Sequence, residues 1–134
     1  MHARPQGGGG ESLVSVLVVD DQATYRAAMR EIVEATPGLE LVGEAQSGEA
    51  AVAAAAEISP HVVLMDKRMP GMGGLAACRA ITDRDRDVIV VLCSVEDPNP
   101  GTAEAHGATA MIRKQDLSRE RLRDIVTARL GSDR

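Results

Sequence analysis

Five short apolar segments alternate along the chain with stretches of helical periodicity, and this alternation constrains the fold more than any other feature. Residues 14–19, 62–65 and 88–93 are almost continuously apolar. A segment that begins at Leu39 and the segment ATAMIRK complete the set. Each is followed by a helical pattern or a polar segment that is long enough to return the chain to the start of a neighbouring parallel strand. Five such βα units predict one α/β domain with a parallel sheet and helices on both of its faces.

The connecting stretches carry helix start and stop signals. Pro37 and Gly38 end the first helix, and Ser47 and Ser118 are predicted N-caps of the second and last helices. The first helix is predicted to bury apolar residues spaced three or four apart: Tyr25, Ala28, Met29, Ile32 and Val33.

Two segments depart from regular βα units. The segment LELVGEA alternates apolar and polar residues, which predicts a strand at the sheet edge with one exposed face. Pro98, Pro100 and Gly101 interrupt the segment after the fourth strand. They are expected to confine any fourth helix to about residues 102–106, so that this helix is short or irregular.

Composition narrows the function classes. The net charge of −5 argues against a broad nucleic-acid surface, and no apolar run approaches a membrane span. Cys78 and Cys93 lack metal-site spacing and are interpreted as reduced thiols of a cytoplasmic protein. Residues 1–11 contain four consecutive glycines and are predicted to form a flexible tail before a domain of residues 12–134.

Polar residues follow the apolar segments at the ends where parallel strands place their ligands. Asp20 and Asp21 end the first, Asp66 the third, Ser94 the fourth and Lys114 the fifth. Three carboxylates at one sheet edge repel each other unless a hard cation neutralises them, which predicts a Mg²⁺ site. A carboxylate beside such a cation can attack a phosphoryl group and form an aspartyl phosphate.

The motifs VVDD, LMDKRMPGMGG and GATAMIRK together make the chain resemble the receiver domains of two-component response regulators, the CheY-like family. The resemblance covers about residues 12–131. It implies a flavodoxin-like (βα)₅ fold with strand order 2-1-3-4-5. The segment LELVGEAQSGEAAV further resembles the receivers of NarL/LuxR-type regulators.

The resemblance assigns roles to these strand-end residues. It implies that Asp66 is the phosphoacceptor, that Asp21 binds Mg²⁺ directly and that Asp20 acts mostly through water. The backbone carbonyl of Arg68 is implied as a further metal ligand, and Lys114 matches the lysine of the family. The metal set is thus Asp20, Asp21, Asp66 and the carbonyl of Arg68.

Two family positions are less regular in this chain. Family members carry a hydroxyl residue at the end of the fourth strand, and either Cys93 or Ser94 could stand at that position here. We choose Ser94, although Ser94 lies about two residues closer to Lys114 than is usual in the family. Met111 replaces the usual aromatic switch residue. Because methionine changes rotamer easily, Ser94 and Met111 are expected to form a switch that is only weakly coupled to phosphorylation.

The expected function is a signalling switch that takes phosphate from a sensor histidine kinase, and not a metabolic enzyme. The resemblance leaves a homodimer open, and DNA binding is expected only if a helix-turn-helix domain lies outside this chain. Two alternatives remain. An Asp-nucleophile phosphohydrolase is disfavoured because Arg68 stands where its second Asp would be. A pseudo-receiver that binds a partner without phosphorylation is disfavoured because the acid pair and Lys114 are kept.

Overall fold

The computed structural model describes residues 13–96 and 98–131 and contains a five-stranded parallel sheet of order β2-β1-β3-β4-β5. This confirms the predicted topology. The elements in chain order are β1 (Val14–Val19), α1 (Ala23–Glu34), β2 (Leu39–Ala45), α2 (Gly48–Ile58), β3 (Val62–Asp66), α3 (Gly74–Arg84), β4 (Ile89–Ser94), α4 (Pro100–Ala105), β5 (Ala110–Arg113), a 3₁₀ turn (Lys114–Asp116) and α5 (Arg119–Gly131).

Alternate residues of the strands feed two separate cores, one on each face of the sheet. Leu17 and Met65 belong to a cluster that α2, α3 and α4 cover. Val18 and Leu64 belong to a second cluster, which α1 and α5 cover. β1, β3 and β4 are buried on both faces and therefore lack the polar alternation of an exposed strand. The helices on both faces confirm the predicted doubly wound arrangement.

Most element boundaries match the sequence prediction, with small shifts. Asp66 is itself the last residue of β3, and β4 starts and ends one residue later than predicted, so that it includes Ser94. Ser47 caps α2 by accepting a hydrogen bond from the N–H of Ala50, and Ser118 accepts one from the N–H of Arg121. The position of β2 at the sheet edge is confirmed.

The predicted start of the fourth helix is wrong. It begins at Pro100 and includes Gly101, whereas the prolines were expected to delay it to residue 102. A proline is tolerated in the first turn because the N–H groups there have no intrahelical acceptor. The Asn99 side chain starts the helix by accepting a hydrogen bond from the N–H of Thr102 at 3.3 Å. The helix is nevertheless as short as predicted, at six residues.

The predicted apolar face of α1 is only half correct. Met29 and Val33 are buried, but Tyr25 and Ala28 near the start of the helix are exposed. Residues 23–25 and Ala28 of α1 are exposed, and neither Tyr25 nor Ala28 belongs to either core cluster. The Tyr25 side chain is therefore not part of the core packing of α1.

None of the helices in the described part of the chain has the length and apolar character needed to span a bilayer. The predicted tail of residues 1–11 lies outside the described residues.

Candidate functional site

The strand register brings the three predicted acids together. Val19 of β1 pairs with Met65 of β3, so the next residues, Asp20 and Asp66, lie side by side at the carboxyl end of the sheet. Carboxylate oxygens of Asp20, Asp21 and Asp66 all lie within 4.8 Å of one another. Asp20 is fully buried and Asp66 is only 6% exposed, whereas Asp21 is half-buried. The site is thus a sheltered acidic cluster at the carboxyl edge of the sheet.

Lys114 brings an ammonium group to this cluster. Its Nζ lies 3.0 Å from Oδ2 of Asp20 and 3.5 Å from Oδ2 of Asp66. Three carboxylates and one ammonium leave a formal charge of −2 in a largely buried site. One divalent cation would neutralise this charge of −2. Oxygen atoms such as those of carboxylates are the ligands that Mg²⁺ prefers.

The hydrogen bonds of Asp20 leave one of its oxygens available. Oδ1 accepts a hydrogen bond from the N–H of Gln22 at 2.9 Å, which fixes the carboxylate at the start of α1. Oδ2 is fully enclosed and lacks a hydrogen bond of good geometry, although Lys114 Nζ is close. A buried carboxylate oxygen in this state has lone pairs left for a cation or its bound water. Asp20, Asp21 and Asp66 therefore fit a Mg²⁺ ion.

The same cluster shifts two pKa values. Burial, followed by the negative charge of Asp20, raises the pKa of Asp66 above its ordinary 3.8, although Lys114 opposes this. Burial alone would lower the pKa of Lys114, but its contacts with Asp20 and Asp66 outweigh it and raise the pKa above 10.5. A cation next to Asp66 would stabilise the carboxylate, which is the form that acts as a nucleophile.

The loop after Asp66 is held close to the strand end. Oδ1 of Asp66 accepts a long hydrogen bond, 3.4 Å, from the N–H of Arg68. The N–H of Gly74 donates to the carbonyl oxygen of Lys67 at 2.7 Å. A Cβ at Gly74 would collide with the carbonyl oxygen of Asp66, so the glycine lets α3 begin directly behind the acid. The role of the Arg68 carbonyl as a metal ligand stays a prediction.

Glu96 is a site residue that the sequence reasoning missed. Its carboxylate receives two hydrogen bonds of 2.9 Å from the Arg68 guanidinium and lies 3.9 Å from Nζ of Lys67. It therefore ties the loop after β3 to the loop after β4 and neutralises two cations beside Asp66. The signal in the sequence was weak, because an acid next to a proline-rich segment is common on protein surfaces.

The end of β4 distinguishes the two residues, Cys93 and Ser94, that the sequence left open for the hydroxyl position. Ser94 is 1% exposed, and its Oγ accepts a hydrogen bond from the N–H of Glu96 at 3.0 Å. Cys93 packs into the core beneath α1 and α5, and burial raises the pKa of its thiol to about 12. A thiol with that pKa is neither a nucleophile nor a redox sensor at neutral pH. These observations favour Ser94 as the hydroxyl residue.

Met111 lies on β5 opposite Leu92 and is 6% exposed. It belongs to the same core cluster as Ala103 of α4 and Ala108. The predicted switch position is therefore already packed between the sheet and α4.

Tyr25 is the second site residue that the sequence reasoning missed. It was assigned to the buried face of α1, but its ring lies under the ammonium group of Lys114, with Nζ 3.6 Å from the ring centroid. The available signal was its position in the first turn after Asp20 and Asp21, together with its being the only aromatic residue of the chain.

Comparison with known proteins agrees with this geometry. The sequence model of the response regulator receiver domain matches residues 16–127. The chain belongs to the receiver domain family. Receiver domains of this family are parts of two-component signalling proteins, and this receiver is similar to the response regulators GacA of Pseudomonas protegens and UvrY of Escherichia coli K12.

The matched relatives are longer than this receiver. GacA is 40% identical over 104 residues, which are 76% of this chain and 49% of GacA. UvrY is 42% identical over 98 residues, which are 73% of this chain and 45% of UvrY. The receiver thus spans about half the length of the curated relatives it matches.

Solved structures give the same assignment. The receiver domain of NarL from Mycobacterium tuberculosis superposes with a TM-score of 0.76 at 31% identity, covering 90% of this receiver and 95% of that chain. A LuxR-family two-component response regulator from Aurantimonas sp. superposes with a TM-score of 0.79 at 27% identity, covering 90% and 87%. The predicted NarL/LuxR-type resemblance and the CheY-like fold are both confirmed.

Proposed function

We propose that Asp66 accepts a phosphoryl group from the phosphohistidine of a sensor histidine kinase. The convergence of the Asp20, Asp21 and Asp66 carboxylates with the Lys114 ammonium at one edge of the sheet carries this proposal. It is the arrangement that an anionic nucleophile needs to approach an anionic phosphoryl group.

In the proposed step, a carboxylate oxygen of Asp66 forms a bond to phosphorus while the bond between phosphorus and the histidine nitrogen breaks. The electron pair of the broken bond stays on the histidine nitrogen, and a proton on the other ring nitrogen makes neutral imidazole the leaving group, while an acyl phosphate remains on Asp66. Lys114 holds one phosphoryl oxygen with its ammonium group, and the Ser94 hydroxyl donates to another. Slow hydrolysis by water returns the free carboxylate, so the domain acts as a switch and not as a metabolic enzyme.

Mg²⁺, held by Asp20, Asp21, Asp66 and the carbonyl of Arg68, would neutralise the charge that spreads over the phosphoryl oxygens during transfer. The direct test of the proposal is incubation with acetyl phosphate and Mg²⁺. Borohydride reduction of the acyl phosphate and peptide mass spectrometry then identify the modified residue.

Millimolar Mg²⁺ is expected to raise the melting temperature of the metal-free protein, because a divalent cation relieves repulsion among the three carboxylates. At ten times the dissociation constant, the stabilisation is about 1.4 kcal/mol. Asp21→Asn should remove most of it, since it deletes the proposed direct ligand. Thermal unfolding followed by circular dichroism, with Mg²⁺ or with EDTA, measures the difference.

Asp87→Asn is the matched control for the Mg²⁺ experiment. Asp87 is exposed and precedes β4, at the edge of the sheet opposite the acidic cluster. This variant should respond to Mg²⁺ as the wild type does. Equal melting temperatures of the wild type in Mg²⁺ and in EDTA would contradict the metal site.

The two alternative functions receive less support from the geometry. A phosphohydrolase of the Asp-nucleophile class needs a general acid near the leaving group, but the residue two positions after Asp66 is Arg68, which is engaged with Glu96. A pseudo-receiver would not need Asp20 and Lys114 to converge on Asp66 as they do here.

A weak coupling between Asp66 and Met111 is a further part of the proposal. Met111 is packed against Leu92 and α4 residues, and its flexible side chain can adjust without a large movement of the backbone. Beryllofluoride, a phosphoryl mimic, is expected to shift the methyl resonance of Met111 only slightly in NMR spectra. Asp66→Ala should abolish even that shift. A large rearrangement centred on Met111 would show that the coupling is strong.

The length of the relatives bears on the output of the switch. Because the relatives are about twice as long, we propose that the receiver controls a further domain, which binds DNA if it is of the helix-turn-helix type. A homodimer of the receiver is one form this control could take. The cytoplasm is the proposed location, in agreement with the two free, buried thiols of Cys78 and Cys93.

A further inference from the structure

Tyr25 has an environment that the core packing of α1 does not explain. It is the only aromatic residue in a chain without Phe or Trp, yet it belongs to neither core cluster and is 39% exposed. One face of its ring is covered by the ammonium group of Lys114, at 3.6 Å from the ring centroid. The contact joins the first turn of α1 to the end of β5.

This contact completes the surroundings of the Lys114 ammonium. The group lies 3.0 Å from Asp20 and 3.5 Å from Asp66 on one side, and the Tyr25 ring lies on another. A lysine carries its charge on a flexible four-carbon stem, so its position near a reaction depends on what surrounds it. The negative face of an aromatic ring attracts a cation without forming an ion pair that a phosphoryl group would have to break.

We propose that Tyr25 is a positioning residue for Lys114. Its ring holds the ammonium group beside Asp20 and Asp66, where it meets the incoming phosphoryl group. This inference rests on the proposed role of Asp66 as the phosphoacceptor. The Tyr25 hydroxyl group has no part in it, and the ring alone is required.

The test compares Tyr25→Leu, which keeps an apolar side chain but removes the ring, with Tyr25→Phe, which keeps the ring. With acetyl phosphate as donor, Tyr25→Leu is expected to slow phosphorylation of Asp66 by roughly two- to fivefold, and Tyr25→Phe to leave it unchanged. The small donor excludes lost contacts with a kinase as the cause. In a Lys114→Met background, Tyr25→Leu should have no further effect.

An NMR measurement on the unphosphorylated protein tests the contact independently of phosphate transfer. A ring under the ammonium group should shift the protons next to Lys114 Nζ upfield in the wild type and in Tyr25→Phe, and this shift should vanish in Tyr25→Leu. An absent shift in the wild type would overturn the inference. Equal phosphorylation rates of Tyr25→Leu and wild type, or equal losses in the Phe and Leu variants, would also overturn it. A wild type that takes up no phosphate contradicts the proposed function instead.

Discussion

Asp66→Ala is expected to reduce the uptake of phosphate from acetyl phosphate by roughly a hundredfold or more, because it removes the nucleophile itself. The fold should survive. Asp66 lies at the last position of β3, and its removal relieves the repulsion with Asp20 that helps to raise the pKa of Asp66. The urea concentration at the midpoint of unfolding should therefore be at least as high for the metal-free variant as for the metal-free wild type at neutral pH.

Borohydride trapping followed by peptide mass spectrometry measures this effect and locates the label. Asp124→Asn, which changes an exposed aspartate on α5, is the matched control and should be labelled like the wild type. Undiminished labelling of Asp66→Ala at Asp20 or Asp21 would move the nucleophile to the end of β1. If Asp66→Ala lost both the label and the folded state, the assignment would be tested with Asp66→Asn, whose side chain has the same size as that of Asp66. A folded Asp66→Asn variant should likewise remain unlabelled.

Lys114→Met is expected to lower the free energy of unfolding of the metal-free protein by roughly 2 to 3 kcal/mol at pH 7. The ammonium group is the counter-charge for two buried carboxylates, and its loss leaves Asp20 and Asp66 uncompensated. The figure stays below that for a fully buried pair because Asp21 opens the site to water on one side. Mg²⁺ should restore part of the loss, since it supplies another cation to the same oxygens.

Lys67→Met is the matched control for Lys114→Met. Lys67 adjoins Asp66 in sequence, but its amine is 3.9 Å from Glu96 and contributes a weak, partly exposed ion pair. Its loss should cost less than about 1 kcal/mol. Urea unfolding at constant ionic strength measures both variants. Equal effects of the two lysines would show that Lys114 does not compensate the cluster.

The stabilisation by Lys114 also has a predicted pH dependence. Because the folded state raises the pKa of Lys114 above 10.5, the stabilisation is fully present below that value and is lost as the pH rises through the raised pKa. The difference in unfolding free energy between the wild type and Lys114→Met should therefore be constant near neutral pH and shrink above pH 10.5. A difference that persists unchanged in strong alkali would indicate that the lysine stabilises by packing alone.

The predicted sheet follows from patterns that are local in the sequence. Short continuous apolar runs such as residues 62–65 favour strands buried on both faces, and parallel strands of this kind need helical crossovers on both sides of the sheet. The predicted start of α4 is wrong because a proline breaks a helix only in its interior. Pro100 lies in the first turn of α4, where the missing N–H of proline removes no intrahelical hydrogen bond. The inward face of α1 was overestimated because periodicity does not show where the core ends.

The sequence by itself determined the acidic site. Its charged residues stand at the ends of three apolar segments, and parallel strands bring their carboxyl ends to one edge of the sheet. These residues are Asp20, Asp21, Asp66 and Lys114. Only the tertiary structure decided the partners of these residues. Glu96 meets Arg68 across two loops, and Tyr25 meets Lys114 across 89 positions of sequence. Such contacts depend on how loops and helix ends lie in space. Neither hydrophobic periodicity nor the position of a strand end encodes that arrangement.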